Sequence, residues 1–399
     1  MKETDLILAG WLIDGTGARV LKDVALEIKD GYVLAVRKML PSDRARTDVT
    51  DYSQCTLLPV LVDSHVHLFM SGTEDARLRR SQCRASYGEA KRTIQGHIQQ
   101  HLASGILAVR DGGDHGGYSR RYKRENPVRE DAALEVMVSG KAWHASFRYG
   151  KLLGRSPILG QGLARSVART LKGVDQVKIL NSGLNSLRCF GEETSPQFDF
   201  ADLAEAAKRV HRAGLKLMVH ANGDLPVRMA IEAGCDSIEH GFFMGRENMI
   251  RMAEKGTFWV PTAFTMRAYA RLSGPGSRES EVARKTLDHQ LEQLRLAEEC
   301  GVKIALGTDA GSAGVHHGKA VAEEMKAFIS AGLTIEKTIQ CASSRGVELL
   351  NLKNRKGTLI PGQPASFVVV GGGPRRLPDS LSELVGIYAK GRRIKPFQP

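Results

Sequence analysis

The chain has 399 residues, with 57 Lys or Arg against 44 Asp or Glu, a formal net charge of +13. At 42% hydrophobic and 25% charged residues it carries enough apolar material for a large core, which excludes a disordered chain. No apolar run approaches the ~18 residues of a membrane span, so no membrane partner is expected.

The basic residues are dispersed. Local clusters are Arg77-Leu78-Arg79-Arg80, Arg120-Arg121-Tyr122-Lys123-Arg124 and Arg392-Arg393. None sits in a nucleic-acid-binding motif, so no nucleic-acid partner is expected and the excess reads mainly as solvated surface. Lys2, Glu3 and Asp5 precede a short apolar stretch ended by Asp14-Gly15, which reads as an edge strand and turn rather than a secretory leader. Cysteines at 55, 83, 189, 235, 300 and 341 form no C-x-x-C pair. A reduced, cytoplasmic protein is the simplest expectation.

Residues 5–57 read as short strands. Leu6–Ala9, Val24–Ile28 and Tyr32–Val36 are separated by Asp14-Gly15-Thr16-Gly17 and Lys29-Asp30-Gly31, and Asp-Gly between apolar strands signals a hairpin. The middle of the chain alternates strands with helices. Candidate strands are 57–63, 105–110, 134–139, 175–180, 215–220, 236–239, 257–260 and 302–307. Amphipathic helices are expected at 201–213, 281–299 and 319–331; in the second, Leu287, Leu291 and Leu294 follow i, i+4, i+7 spacing. Ser366–Val370 and Leu384–Tyr388 restore the strand rhythm near the end. Eight strand–helix repeats suit an α/β fold of the (β/α)8 TIM-barrel type, with a doubly wound sheet as the alternative. The expected division is a barrel at 58–356 and a small discontinuous β-sandwich from 1–57 and 357–399.

Polar residues recur at the strand ends. His65-Val66-His67 follows an apolar strand, and residues two apart on a strand share a face, so both imidazoles can reach one metal. By itself an H-x-H pair is more often incidental. Lys178 lies in Val177-Lys178-Ile179-Leu180, His220 ends Leu217–His220, His240 ends Ser237–His240, and Asp309 follows Ile304–Thr308. Each has a bland reading: a core histidine, a helix-capping aspartate, a strand lysine. In an α/β barrel, however, the carboxyl ends of all strands meet on one face, where catalytic residues gather.

This ordered set resembles the metal-dependent amidohydrolase superfamily. Asp63-Ser64-His65-Val66-His67-Leu68 is similar to its D-x-H-x-H segment. Ala108–Gly113, Asp236–Gly241 and Gly307–Gly311 are similar to its other strand-end phrases. The likeness covers essentially the whole chain and is strongest toward imidazolonepropionase-related and prolidase- or carboxypeptidase-type members. The resemblance implies metal ligands His65, His67, Lys178, His220, His240 and Asp309. It also implies a carbamylated Lys178, because an ammonium has no lone pair whereas its CO2 adduct is a bridging carboxylate. Two divalent ions follow, with zinc suited to imidazole and carboxylate: His65, His67 and Asp309 on one, His220 and His240 on the other. A metal-bridging hydroxide is then the expected nucleophile and Asp309 the acid/base.

Substrate contacts are expected from His144, Arg148, Tyr149, Asn222 and His317, with Arg148 suited to a substrate carboxylate. Asn222 and the Gly140–His144 segment depart from the family pattern where substrate is expected to lie. His97, His101, His115, His211 and His289 carry no pattern and read as structural or exposed. The expected reaction is hydrolysis of an amide or cyclic amide in a small, anionic molecule such as a dipeptide or N-acyl amino acid. The rivals are a mononuclear deaminase of an amino-heterocycle and a metal-free scaffold. Assembly into a homo-oligomer is compatible with all three.

Overall fold

The computed structural model describes residues 4–127, 134–352 and 357–394. Residues 1–3 and 353–356, and the end of the chain from 395, fall outside them, and with them Lys2, Glu3 and the expected domain limits at 1, 356 and 399. In chain order the strands are β1 (Asp5–Leu12), β2 (Leu21–Lys29), β3 (Tyr32–Lys38), β4 (Val49–Pro59), β5 (Leu61–Val66) and β6 (Ile106–Asp111). Then come β7 (Glu135–Val138), β8 (Ala142–Trp143), β9 (Gly154–Arg155), β10 (Gln176–Leu180), β11 (Lys216–Ala221) and β12 (Ser237–His240). The last are β13 (Phe258–Val260), β14 (Lys303–Ile304), β15 (Phe367–Gly371), β16 (Leu384–Ala389) and β17 (Arg392–Ile394).

Both ends of the chain build one sheet of seven strands, ordered β17-β16-β15-β4-β1-β2-β3. Strand pairing links the two ends through β4, which pairs with β1 on one side and β15 on the other; β1, with β2 on its far side, is an interior strand rather than the expected edge strand. Alternation on β1 sends Ile7 and Ala9 to one apolar cluster, with Leu26, Phe367 and Val369, and Leu6 and Leu8 to another, with Ala25 and Met39. The edge strand β3 turns back on the segment before β15, where Val33 N–H donates to Gln363 O at 2.8 Å. Val60, Leu107 and Ile387 pack this sheet against the rest of the chain.

The remaining strands form two parallel sheets, β14-β13-β12-β11-β10-β8-β9 and β5-β6-β7, so the class is α/β. Backbone hydrogen bonds join the two. Ala305 N–H donates to Trp259 O at 2.9 Å, Ser64 N–H to Leu306 O at 2.9 Å and Asp309 N–H to His65 O at 2.8 Å. Residues 305–309 therefore run between β13 and β5. At the other junction Asp175 N–H donates to Val138 O at 2.9 Å.

Two expected strands differ in detail. The 57–63 run divides at Val60: Leu57 and Leu58 pair with β15, whereas Leu61 and Val62 pair with β6. A continuous apolar run cannot reveal that its halves belong to different sheets. The 302–307 strand is ladder-paired only at Lys303 and Ile304. The expected helices form at Phe200–Arg212, Arg278–Glu299 and Ala320–Ser330. The longest starts where Ser277 accepts the Ser280 N–H and ends before Gly301 at φ 76°. Its buried stripe includes Val282, Leu287, Gln290, Leu294 and Ala297. All six cysteines are free. Among the described residues no helix is long and apolar enough to cross a membrane.

Candidate active site

A cavity of about 400 Å³ opens at the carboxyl ends of the parallel strands, and His65, His67, Lys178, His220, His240 and Asp309 all line it. The register explains the convergence. Leu180 pairs with His220, and Ala221 with His240, so β10, β11 and β12 end side by side.

His65 and His67 each have one ring nitrogen anchored behind the site. His65 Nδ1 lies 2.8 Å from Glu239 Oε2, and His67 Nδ1 lies 3.0 Å from Gly113 O. Their Nε2 atoms face Asp309 Oδ1, at 3.6 and 3.4 Å. The three donor atoms lie within 4.8 Å of one another. Lys178 Nζ is 3.4 Å from His65 Nε2. His220 Nε2 is 2.9 Å from Gly183 O and His240 Nδ1 is 2.7 Å from Thr262 Oγ1, so Nδ1 of His220 and Nε2 of His240 remain as donors. The His220 and His240 ring centroids are 4.6 Å apart, and His240 is 5.0 Å from His65.

Burial sets the protonation states. Desolvation, reinforced by the neighbouring Lys178 charge, pushes His67 down to about 4 and His220 down to about 3. His65 and His240 also fall well below the usual imidazole value, again through burial first. Neutral imidazoles keep the lone pair that a metal needs. Burial likewise depresses the Lys178 amine and raises the Asp309 carboxyl. The donor set thus fits a divalent metal: neutral imidazoles with one nitrogen tied back, beside a carboxylate, the pattern that orients metal ligands.

Backbone strain concentrates here. His240, Thr262 and Asp309 have φ of 67°, 47° and 59°. Such conformations cost non-glycine residues on the order of 1–3 kcal/mol each. In a regular strand Glu239 and His240 would face opposite ways. The left-handed turn at His240 ends the alternation, so Glu239 reaches His65 while His240 still lines the cavity. Gly112 sits so close that a Cβ there would lie 2.8 Å from His67 Cε1 and 3.2 Å from His65 Nε2.

Of the five expected substrate contacts, Tyr149 and Asn222 line the cavity. The Tyr149 ring stands 5.5 Å from that of His220. Asn222 Oδ1 accepts the Phe242 N–H at 3.1 Å. His144, Arg148 and His317 are not among the lining residues. His144 Nδ1 turns to Ala145 O at 2.9 Å. Arg148 is exposed and donates to Ser195 O at 2.8 Å. His317 is buried behind the site, stacked on His97 at 3.9 Å and 3.1 Å from His101 Nε2. Chain proximity to a strand end does not fix the direction of a loop side chain, and here each finds a nearer backbone or aromatic partner.

The structure adds residues to which the sequence pattern assigns no role. Glu239 Oε1 accepts Arg110 Nη2 at 2.7 Å, and Arg110 Nε donates to Ser64 O at 2.6 Å, so a buried ion pair braces His65. Asp63 Oδ2 accepts the Thr308 hydroxyl at 2.6 Å and steadies the Asp309 turn. Arg79 and Tyr269 line the cavity. Arg79 belongs to a cluster that reads as surface, yet its Nη1 donates to Gly311 O at 3.1 Å. The one signal in the chain is adjacency: Glu239 precedes His240, and Asp63 lies two residues before His65.

The Amidohydrolase family model matches residues 56–397. The chain is 24% identical over 344 residues to an ochratoxinase of Aspergillus niger, spanning 77% of this chain and 69% of that protein. The crystal structure of a Xaa-Pro dipeptidase with bound methionine in its active site is similar at a TM-score of 0.80 and 25% identity, covering 98% of this chain and all (100%) of that one. The A. niger ochratoxinase structure gives a TM-score of 0.79 at 21% identity, over 99% and 97% of the two chains, a likeness of fold. With the family match running across the chain and its histidines, lysine and aspartate in one cavity, the chain belongs to the amidohydrolase family and is a hydrolase of carbon–nitrogen bonds.

Proposed function

We propose that this chain hydrolyses an amide bond in a small substrate bearing a free carboxylate, a dipeptide or N-acyl amino acid, at a two-metal centre. The observation that carries the reading is the meeting of His65, His67, Asp309 and Lys178 around one point of a cavity. His65, His67 and Asp309 would hold one divalent ion and His220 and His240 a second, with carbamylated Lys178 between them. Zinc suits this donor set. A bound divalent ion supplies Lewis acidity and lowers the pKa of water from about 15.7 to near 7.

The chain's own groups do the rest. Asp309 accepts a proton from the attacking water and delivers it to the leaving nitrogen, steadied by the Ser312 hydroxyl 2.8 Å from its Oδ2. Tyr149, whose phenol burial and the Asp309 charge keep protonated, donates to the acyl oxygen. Arg79, at the cavity wall, takes the carboxylate in place of the outlying Arg148. Phe242, Met266 and Leu153 exclude water from the wall. Burial lowers the pKa of the Lys178 amine, which raises the share of the neutral form that CO2 requires.

The same reading treats the two parallel sheets as the wall of one (β/α)8 barrel. Its supports are the hydrogen bonds at Ala305, Ser64 and Asp175 that span their edges. The sheet from both chain ends is then a separate, discontinuous domain, with limits near residues 58 and 357. The test is metal analysis of the purified protein, followed by assay against N-acyl amino acids, dipeptides and cyclic ureides. Two metals per chain and turnover of a carboxylate-bearing amide are expected. One metal per chain with turnover of amino-heterocycles instead would overturn the reading.

A further inference from the structure

A second cavity, of about 250 Å³, lies on the far side of the strand wall from the metal ligands. Val177 lines it, whereas its neighbour Lys178 lines the first cavity, as strand alternation requires. Its floor is Trp143 of β8, and its rim is basic: Arg120, Arg121 and Arg124 from helix Tyr118–Glu125, Lys141 from the preceding loop, and Arg155 of β9. Arg121 is held by Glu125 at 2.9 Å. Arg120, Arg124, Lys141 and Arg155 make no ion pair among the described residues, although such pairs are common elsewhere on the surface.

Arg155 is the most telling of these. Its guanidinium stacks over the Trp143 ring at 4.5 Å from the centroid, and its Nε is buried without a hydrogen-bond partner among the described residues. Arg155 as a whole is half-buried and only its Nε is orphaned; leaving such a donor unsatisfied is costly, and a water or an ion can complete it. Burial, with the nearby Arg120 charge, already lowers the Arg155 pKa from its ordinary value. Among the described residues no acidic side chain lines this cavity. Two carboxylates next to lining residues in the chain are occupied: Asp175 by Lys123 at 2.8 Å and Glu125 by Arg121.

We propose that this cavity binds a small phosphoryl polyanion, as a site separate from the metal centre. A planar carboxylate is matched by one guanidinium fork, whereas the tetrahedral oxygens of a phosphoryl group accept donors from several directions. The cations here come from three elements, a helix, a loop and β9, and surround a volume suited to one or two phosphoryl groups. The proposal goes beyond the hydrolytic reading and does not depend on it.

The test is titration of the metal-loaded protein with inorganic pyrophosphate, read by calorimetry and by tryptophan fluorescence. The expected result is one saturable site, with a fluorescence change that Trp143→Phe removes. The double variant Arg120→Gln/Arg155→Gln should weaken binding at least ~10-fold, and Lys141→Gln, on a different element, about threefold or more. Citrate should bind at least ~10-fold more weakly than pyrophosphate. Binding that these variants leave unchanged would place the anion at the metal centre and overturn the proposal. So would the absence of saturable binding, and citrate binding as tightly as pyrophosphate would overturn the phosphoryl assignment. Lys141→Gln decides the matter if the double variant fails to fold.

Discussion

The imidazole of His65 rests against the carboxylate of Glu239, Nδ1 to Oε2 at 2.8 Å, with both side chains fully buried. The other carboxylate oxygen holds Arg110 at 2.7 Å, so one carboxylate orients a candidate metal ligand and balances a buried guanidinium. Glu239→Gln keeps the shape and removes the charge. It should weaken metal binding 10- to 100-fold. It should also destabilise the fold by roughly 3–5 kcal/mol, because Arg110 is left uncompensated. Metal titration and urea denaturation measure the two effects; wild-type values in both would remove Glu239 from this role.

Lys178→Ala should abolish turnover and lower metal content from two ions to one or fewer, with the fold intact by circular dichroism. Lys178 touches His65 at 3.4 Å and, among the described residues, no carboxylate pairs with it directly, so its loss leaves a small cavity rather than an orphaned charge. Full metal content with full turnover in the variant would exclude a bridging lysine.

Gly112→Ala is a steric probe of the same centre. The new methyl would meet His67 Cε1 at 2.8 Å and His65 Nε2 at 3.2 Å. Both rings are anchored from behind, so neither can retreat without losing a hydrogen bond of ~1 kcal/mol or more. Metal affinity should fall at least ~10-fold with little change in melting temperature. Retained affinity would show that the rings can give way.

Arg79→Met should raise KM for a carboxylate-bearing substrate by about 10- to 100-fold, the worth of a charged hydrogen bond. The corresponding neutral amide substrate should be turned over as before. Steady-state kinetics on the matched pair reads the discrimination directly; an equal loss on both would assign Arg79 to holding the Gly311 loop instead.

His97, His101 and His317 form a buried trio behind the cavity, and they predict acid sensitivity. Burial pushes His97 down to about 4 and His101 down to about 3, and His317 falls well below its ordinary value. The unfolded chain therefore binds these protons more readily than the folded one. Stability should be complete above ~6.5 and fall as pH drops below it toward 4. His101→Gln should reduce that slope by about one proton, measured as urea midpoints between pH 7.5 and 5. An unchanged slope would mean that the trio is protonated while folded.

Much of the site is legible in the amino-acid sequence. His65 and His67 stand two apart on a strand, and Lys178, His220, His240 and Asp309 each lie in or close an apolar run, patterns that local alternation writes into the chain. The helices at 200–212, 278–299 and 320–330 are equally plain, because a buried stripe imposes a 3.6-residue period. Side-chain direction in loops is not legible: Arg148 follows a strand end where substrate is expected, yet it points to Ser195 O, while Arg79, grouped with surface arginines, lines the cavity.

The sequence by itself determined the α/β alternation, the set of candidate ligands and their order. Only the tertiary structure decided that Glu239 and Arg110 brace His65 and that Val60 divides one apolar run between two sheets. It alone gathered four unpaired cations, among the described residues, around Trp143. Those facts depend on contacts between residues far apart in the chain, 174 positions for the His65–Glu239 pair. Local periodicity specifies which face a side chain takes, but not which distant side chain meets it there.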